Sequence, residues 1–290
     1  MSDPPAPRPG ARELGRFLEI QNLGLNVPLA LAFVLVASRG LPRWEPLLLV
    51  VVAFVAARNA GHAFNRWADR HLDANNPRTR DRAVVAGRLS PAFALAVAGI
   101  SAAVLVGAAA LLNPLALALS PVALALVLGY SYTKRFTALT TVFLGLVEAI
   151  TPAAAFVALT GALPPAAFLA VAGVLAWGTA FETVHSLGDL ESDRRLGLRS
   201  LPVRLGPRRA VRWVAALHAL ALGFLAAFGA AEQLAWPYFG ALVAMAIGVA
   251  AIDHRLARDP SEVRVPFRQH FVFAAVFLLG VATALFLPPF

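Results

Sequence analysis

Runs of about twenty apolar residues recur along this chain, and they constrain its fold more than any other feature. A helix that crosses the hydrocarbon core of a bilayer needs about 20 mostly apolar residues. Nine segments satisfy this, the first least well because Gln21, Asn22 and Asn26 interrupt it. They lie at 20–38, 46–65, 92–112, 114–132, 139–160, 165–188, 211–231, 233–252 and 269–286. The pattern predicts an all-α, polytopic membrane protein with nine transmembrane helices.

Composition supports this prediction and excludes several other classes of protein. Hydrophobic residues make up 59% of the 290 residues and charged residues only 14%, too little polar surface to coat a soluble globule of this size. The chain contains no cysteine, which excludes a disulfide scaffold, thiolate catalysis and Cys-ligated zinc. We expect residues 1–19, rich in Pro and Arg, to be a short cytosolic tail and residues 20–290 to form one transmembrane domain.

The distribution of cations predicts the orientation in the membrane. Of the 25 Lys and Arg residues, 22 fall in the N-terminal tail or at the connections between spans 2 and 3, 4 and 5, 6 and 7, and 8 and 9. Cytoplasmic loops are the ones that retain Lys and Arg. We therefore expect a multi-pass protein of a bacterial-type inner membrane, with these four loops in the cytosol. The net charge of +9 then reflects topology and anionic ligands, and nucleic acid is not an expected partner.

Two helix ends on this cytosolic side carry acidic stripes. At the end of span two, Asn65, Asp69 and Asp73 share one helix face with Arg58, within about 80 degrees on the helical wheel. We call Asn65, Asp69 and Asp73 the first acidic stripe. At the end of span six, four side chains fall within about 60 degrees and form the second acidic stripe, while Glu191 points the opposite way. These four are Glu182, Ser186, Asp189 and Asp193.

The stripes indicate a cation site. Carboxylates four residues apart on a helix repel each other, so their clustering calls for a compensating cation. Oxygen ligands without Cys suit Mg²⁺, which is commonly shared with substrate phosphates. Basic residues in the adjacent loops would complete a diphosphate site: Arg78, Arg80, Arg82, Lys134, Arg135, Arg194, Arg195 and Arg199. The alternative is that these acids and arginines simply pair with one another in a hydrated loop.

Three ordered motifs resemble the UbiA superfamily of intramembrane aromatic prenyltransferases. They are NRWADRHLD at 65–73 with NPRTRDR at 76–82, YSYTKRFT at 130–137, and DLESDRRLGLRS at 189–200. The resemblance covers most of the chain. It implies a bundle of nine transmembrane helices around a central cavity, Asp-rich motifs that hold Mg²⁺ and an isoprenyl diphosphate, and a lipid-facing tunnel for the prenyl tail. The substring at 65–79 is most similar to 4-hydroxybenzoate polyprenyltransferases or to the branch of the futalosine route to menaquinone.

The resemblance also implies roles for individual residues. Asn65, Asp69, Asp73, Asp189 and Asp193 stand at metal-ligating positions, and the four aspartates with Glu182 form the catalytic set. Glu182 stands where the family often has an Asp proposed to orient or deprotonate the acceptor. Arg78, Arg82, Tyr130, Lys134 and Arg199 belong to the diphosphate side, and Arg58 matches the position that holds an aromatic carboxylate. This sequence departs from the family pattern at three places. Arg66 follows Asn65 where the family often has Asp, Asp81-Arg82-Ala83 stands in place of the usual Asn-Arg-Pro, and Glu182 replaces an Asp.

We therefore expect an enzyme that uses Mg²⁺ to transfer a polyprenyl group to an aromatic acid, with the bilayer and its two substrates as partners and no obligate protein partner. Two other classes stay open on the residues alone. One is a transporter or channel, since intramembrane acids also serve ion pathways. The other is a lipid-binding subunit without turnover. Glu148, an isolated acid in the middle of span five, is equally consistent with lining the cavity and with a bond between helices.

Overall fold

The computed structural model describes residues 10–20, 23–77, 79–133 and 135–286, and the regular structure in these ranges is helical. The helices are α1 (Ala11–Phe17), α2 (Leu23–Ala37), α3 (Trp44–Ala68), α4 (Arg70–Asp73), α5 (Pro91–Leu112), α6 (Pro114–Thr133), α7 (Thr140–Thr160), α8 (Pro165–Gly188), α9 (Leu190–Arg195), α10 (Leu201–Leu205), α11 (Pro207–Ala231), α12 (Trp236–Arg258) and α13 (Arg264–Phe286). The prediction of an all-α fold is confirmed.

Eight of the described helices are long and apolar enough to cross a bilayer. The ninth, α2, corresponds to the weakest predicted span and has a shorter apolar stretch, Asn26–Ala37. Several helices extend beyond their predicted spans; for example, α12 continues to Arg258 and α11 begins at Pro207. A hydropathy pattern detects only the part of a helix that lies in hydrocarbon, whereas the hydrogen-bonded helix continues into the polar interface.

Local sequence explains where the helices begin and end. Pro91, Pro165 and Pro207 occupy the first turns of α5, α8 and α11, where the missing N–H of proline costs nothing. Ser90 caps α5 because its hydroxyl accepts a hydrogen bond from the backbone N–H of Phe93 at 3.0 Å. Gly161 ends α7 in the left-handed conformation, with φ of 66°.

Small residues allow the central helices to approach one another closely. Helix α8 packs between α7 and α11, and α3 packs against α5. At the crossing of α7 and α8, Gly145 lies against the backbone of Leu175 and Thr179, so that any Cβ at this position would overlap α8. The larger hydrophobic core joins α2, α7 and α8 to α11, α12 and α13. This arrangement makes α8 a central support of the bundle.

A smaller hydrophobic core fixes the segment that precedes the first span. Phe17 of α1 is buried against Phe93 of α5, with a ring distance of 6.0 Å, and packs with Ala63 of α3 and Val84. Glu13 of the same helix forms an ion pair with Arg88. Residues 11–17 are therefore a helix docked on the bundle, a feature that the sequence prediction of a tail did not contain.

Candidate active site

A cavity of about 630 Å³ lies among α2, α3 and α5–α8, and both acidic stripes line it. The first stripe comes from α3 and α4, and the second from α8 and α9. Of the other predicted site residues, Arg58, Arg82 and Tyr130 also line the cavity. Arg199 is exposed and is not among the lining residues, whereas its neighbours Leu198 and Ser200 are. Arg78 and Lys134 lie outside the described residues.

The two stripes are built on the same local backbone geometry. Helix α3 ends at Ala68, and the short helix α4 begins after Asp69, which has φ of −92° and ψ of 1°. Helix α8 ends at Gly188, and α9 begins after Asp189, which has φ of −99° and ψ of 2°. These values fall in the sparsely populated bridge region. Each motif therefore places its first aspartate at the joint between a membrane helix and a short helix.

The carboxylates of the first stripe are buried and held by polar neighbours. Asp69 is 1% exposed and Asp73 is 5% exposed. The side-chain amide of Asn65 donates to Oδ2 of Asp69 at 2.7 Å, and Arg135 lies 3.6 Å from Oδ1 of Asp69. Arg82 donates to Oδ2 of Asp73 at 2.6 Å. The basic loop residue Arg82 thus meets the acidic stripe inside the cavity, as a combined cation and diphosphate site requires.

The second stripe is more accessible than the first. Asp189 and Asp193 are half-buried, and Glu191 on the same short helix is exposed and lies away from the lining. Glu182 is about two helical turns deeper in α8 and lies 3.5 Å from Nδ1 of His185. Because a half-buried carboxylate keeps part of its hydration, this wall of the cavity is the more open of the two to an incoming charged group.

Arg58 is engaged by the N-terminal segment. Its two terminal nitrogens donate to the backbone carbonyl of Leu18 at 2.5 Å and to that of Glu19 at 2.6 Å. The Glu19 carboxylate forms an ion pair with Arg66, which is 5% exposed, and lies 3.8 Å from Nδ1 of His62. Glu19 itself lines the cavity. Sequence reasoning missed Glu19 as a site residue, because nothing in the sequence links it to a helix about forty residues away.

The charge of Glu19 is fixed by this environment. Burial alone would raise the pKa of its carboxyl group, but the nearby Arg66, His62 and Arg82 outweigh burial and lower that pKa to about 2. Glu19 is therefore ionised at neutral pH. Its backbone has a positive φ of 51°, uncommon for a residue with a side chain, which is maintained by the contacts on both sides of it.

Glu148 also lies in the cavity wall. Its carboxyl group lies directly against Gly178 of α8, so that a Cβ at Gly178 would overlap Oε2. Of the two interpretations left open by the sequence, the structure supports cavity lining, and it places Glu148 at the crossing of two helices as well. Away from the acidic stripes the wall is mostly apolar, with lining side chains that include Leu105, Ala109, Leu112, Ala116, Leu119 and Val122. That part of the cavity suits a hydrocarbon chain.

The donor chemistry of the two stripes fits Mg²⁺. They offer carboxylate and amide oxygens, and Mg²⁺ is usually held by one or two carboxylates together with substrate phosphates and water. Within the described ranges, no three Asp, Glu or His side chains converge into a complete metal site. Asn65, Asp69, Asp73, Asp189 and Asp193 are the oxygen-bearing side chains of the lining that would hold such an ion.

Comparison with known proteins identifies the fold and the family. The model of the UbiA prenyltransferase family matches residues 26–276. The chain belongs to this family. The prediction of an enzyme of the prenyltransferase class is thereby confirmed, and family membership favours it over the transporter and the non-catalytic subunit.

Relatives and solved structures agree with this assignment. The chain is 32% identical over 250 residues to the 4-hydroxybenzoate octaprenyltransferase of Cupriavidus necator, covering 86% of this chain and 87% of that protein. It is 29% identical to a UbiA homolog from Aeropyrum pernix K1, with a TM-score of 0.79 over 91% of this chain and 97% of that one. A UbiA homolog from Archaeoglobus fulgidus bound to GPP and Mg²⁺ has the same fold, with a TM-score of 0.68 and 17% identity over 93% of this chain and 99% of that one.

Proposed function

We propose that this protein transfers a polyprenyl group from a polyprenyl diphosphate to an aromatic acid of the hydroxybenzoate or dihydroxynaphthoate type, in ubiquinone or menaquinone biosynthesis. The observation that carries the proposal is that two acidic stripes line one cavity whose wall is otherwise mostly apolar, and that Arg82 of a basic loop donates to Asp73 of the first stripe. Relatives named 4-hydroxybenzoate octaprenyltransferase support the hydroxybenzoate type. The charge distribution supports a site that faces the cytosol from a bacterial inner membrane.

The polar part of the cavity binds the metal and the diphosphate, and the apolar part binds the prenyl chain. Asn65, Asp69, Asp73, Asp189 and Asp193 would hold Mg²⁺, which neutralises the charge that develops on the diphosphate as the allylic C–O bond breaks. Arg82, Arg78 and Lys134 bind the diphosphate by charge-assisted hydrogen bonds. Tyr130, four residues before Lys134 in the sequence, donates its hydroxyl to the same diphosphate. The apolar wall holds the prenyl chain and excludes water, so that the allylic cation meets the aromatic ring first.

The acceptor side depends on two further residues. Arg58 orients the aromatic acid through its carboxylate. Diphosphate departs with the electron pair of the broken C–O bond, the ring carbon forms a bond to the resulting allylic cation, and the ring carbon then loses its proton. Glu182 receives or directs this proton, because it lines the cavity about two helical turns deeper than Asp189.

Mass spectrometry of products tests the proposal. The purified protein in detergent is offered a polyprenyl diphosphate with 4-hydroxybenzoate or with dihydroxynaphthoate, in Mg²⁺ and in EDTA. We expect release of pyrophosphate and one prenylated acid in Mg²⁺ only. Tight binding of the diphosphate without turnover would contradict the proposal in favour of a lipid-binding subunit. Solute flux in vesicles without any product would contradict it in favour of a carrier.

A further inference from the structure

Two arginines and two carboxylates lie together at the polar end of the cavity. Glu19 of the N-terminal segment forms an ion pair with Arg66, and Arg82 donates to Asp73 at 2.6 Å. All four side chains line the cavity. The two pairs are neighbours, since the charge of Arg82 acts on Glu19 and the charges of Arg82 and Asp73 act on Arg66. The protein's own carboxylates thus neutralise two guanidinium groups that lie close to each other.

Arg66 needs negative charge beside it. Its side chain is 5% exposed, and a guanidinium keeps its proton in proteins, so burial of Arg66 near Arg82 is costly without anions. Glu19 and Asp73 supply the negative charge in this structure. A diphosphate would supply more of it, because its oxygens accept paired hydrogen bonds from guanidinium groups. A diphosphate held by Arg82 therefore brings its charge beside Arg66 as well.

The two carboxylates are anchored differently. Asp73 lies in the short helix α4 and is part of the cavity wall. Glu19 lies between α1 and α2, in a segment that rests on the smaller hydrophobic core through Phe17. Glu19 also has a positive φ of 51°, a conformation that persists only where the surroundings hold it. Because the larger core is separate, the N-terminal segment, residues 10–20, can move without disturbing the packing of α8.

We propose that Arg66 is a further residue that binds the diphosphate of the donor, and that Glu19 is the internal anion which the diphosphate displaces. The inference rests on the proposed function, in which the donor is a polyprenyl diphosphate bound by Arg82. The incoming negative charge repels the Glu19 carboxylate and takes over its bonds to Arg66. Glu19 then leaves the cavity, and residues 10–20 loosen from α3. Glu19 thereby weakens donor binding, while it keeps the buried arginines neutralised until a donor binds.

Hydrogen exchange of the unaltered protein tests the displacement without any substitution. The full-length protein in detergent with Mg²⁺ is compared with and without geranyl thiodiphosphate, an unreactive thio analogue of a prenyl diphosphate. We expect the analogue to accelerate exchange of residues 10–20 about tenfold, because these residues lose the contacts of Glu19. Exchange of α12, which contributes no residue to the cavity lining, should not change.

Calorimetry with the same analogue tests the two residues separately. E19Q removes the competing charge and should bind the analogue about tenfold more tightly, whereas R66Q removes one of the cations and should bind it about tenfold more weakly. In the double variant E19Q/R66Q the loss of Glu19 should raise affinity by less than about threefold over R66Q, because Glu19 competes chiefly through Arg66. The control E191Q removes an exposed acid outside the lining and should match the unaltered protein.

The inference is overturned if the analogue binds without changing the exchange of residues 10–20, if E19Q binds it equally or more weakly, or if R66Q binds it equally tightly. Each of these results leaves the proposed function standing, because the donor analogue still binds. Failure of the unaltered protein to bind the analogue in Mg²⁺ would refute both the proposed donor and this inference. Thermal unfolding checks that each variant is folded. If R66Q does not fold, R66K, which keeps the charge but loses the paired hydrogen bonds, should bind about threefold more weakly.

Discussion

The carboxyl group of Glu148 on α7 lies directly against the Cα of Gly178 on α8, with no room between them for a side-chain carbon. Gly145, one turn earlier on α7, meets α8 in the same way. In the sequence Glu148 is an isolated acid in a membrane helix. The structure places it at a close crossing of two helices that border the cavity.

Gly145→Ala is expected to force α7 away from α8, because the added Cβ would lie 2.8 Å from the backbone of both Leu175 and Thr179. The overlap would destabilise the protein by about 1–3 kcal/mol, as overpacking of a core commonly does. Thermal unfolding in detergent measures this. The matched control is Gly107→Ala on α5, where an added Cβ meets nothing within 4 Å and no loss of stability is expected. Equal stability of the two variants would contradict the close crossing.

Asp189→Ala is expected to abolish prenyl transfer that depends on Mg²⁺ and to leave the protein folded. Loss of a carboxylate that holds the metal would lower the rate by more than about 100-fold. The control Glu191→Gln removes an acid two residues away that is exposed and outside the cavity lining, and it should retain full activity. Product formation at increasing Mg²⁺ measures both variants. Normal turnover by Asp189→Ala would remove this residue from the metal site.

Arg82→Gln is expected to weaken binding of the polyprenyl diphosphate. The change removes a charge-assisted contact to the substrate and leaves Asp73 without the guanidinium that now donates to it at 2.6 Å, so KM for the diphosphate should rise about 10- to 100-fold. KM for the aromatic acid should change much less. Arg209→Gln, an exposed change of the same charge on α11, serves as the control. An unchanged KM for the diphosphate would contradict the role of Arg82.

Acid is expected to loosen the N-terminal segment. The pKa of Glu19 is lowered to about 2 in the folded protein, against an ordinary value of 4.5. Ionised Glu19 therefore contributes stability that is fully present above about pH 4.5 and is lost as the pH falls towards 2. Hydrogen exchange of residues 10–20 should accelerate across this window. E19Q should exchange faster at neutral pH and show a smaller acceleration; the same pH profile in both proteins would contradict the contribution of Glu19.

The orientation in the membrane can be tested with single cysteines, because the chain has none of its own. Ala162→Cys lies in the connection between α7 and α8, and Ser261→Cys lies between α12 and α13. If the basic loops are cytosolic, a membrane-impermeant maleimide added to intact cells should label position 162 only. Both positions should be labelled after the cells are opened. Labelling of position 261 in intact cells would reverse the proposed topology.

Much of the fold could be predicted because burial in hydrocarbon and the helical repeat both impose regular patterns of apolar and polar residues on the sequence. A membrane helix must be apolar for about twenty residues, so the spans were found within a few residues of the helix ends. The acidic stripes could be predicted as well, since residues four apart share a helix face. A helical wheel could not predict that the helix is interrupted at Asp69 and at Asp189, because a wheel assumes one continuous helix.

The remaining features depend on contacts between distant parts of the chain. Arg66 was noted as a departure from the family pattern, but its partner Glu19 lies 47 residues away on a segment without a hydropathy signal. Arg58 likewise donates two hydrogen bonds to the backbone carbonyls of Leu18 and Glu19, and a pattern of side-chain types cannot predict contacts to backbone atoms. Side-chain type predicts which chemistry is available, whereas such tertiary pairing decides which groups face one another.

The matched joints at Asp69 and Asp189 tie the chemistry to the bilayer. Each aspartate ends a membrane helix of 25 or 24 residues, about 36 Å long, so its height is set by the tilt of that helix. Helices tilt to match the thickness of the surrounding hydrocarbon. A membrane thickness that tilts α3 and α8 to different extents would therefore change the gap between the two carboxylates.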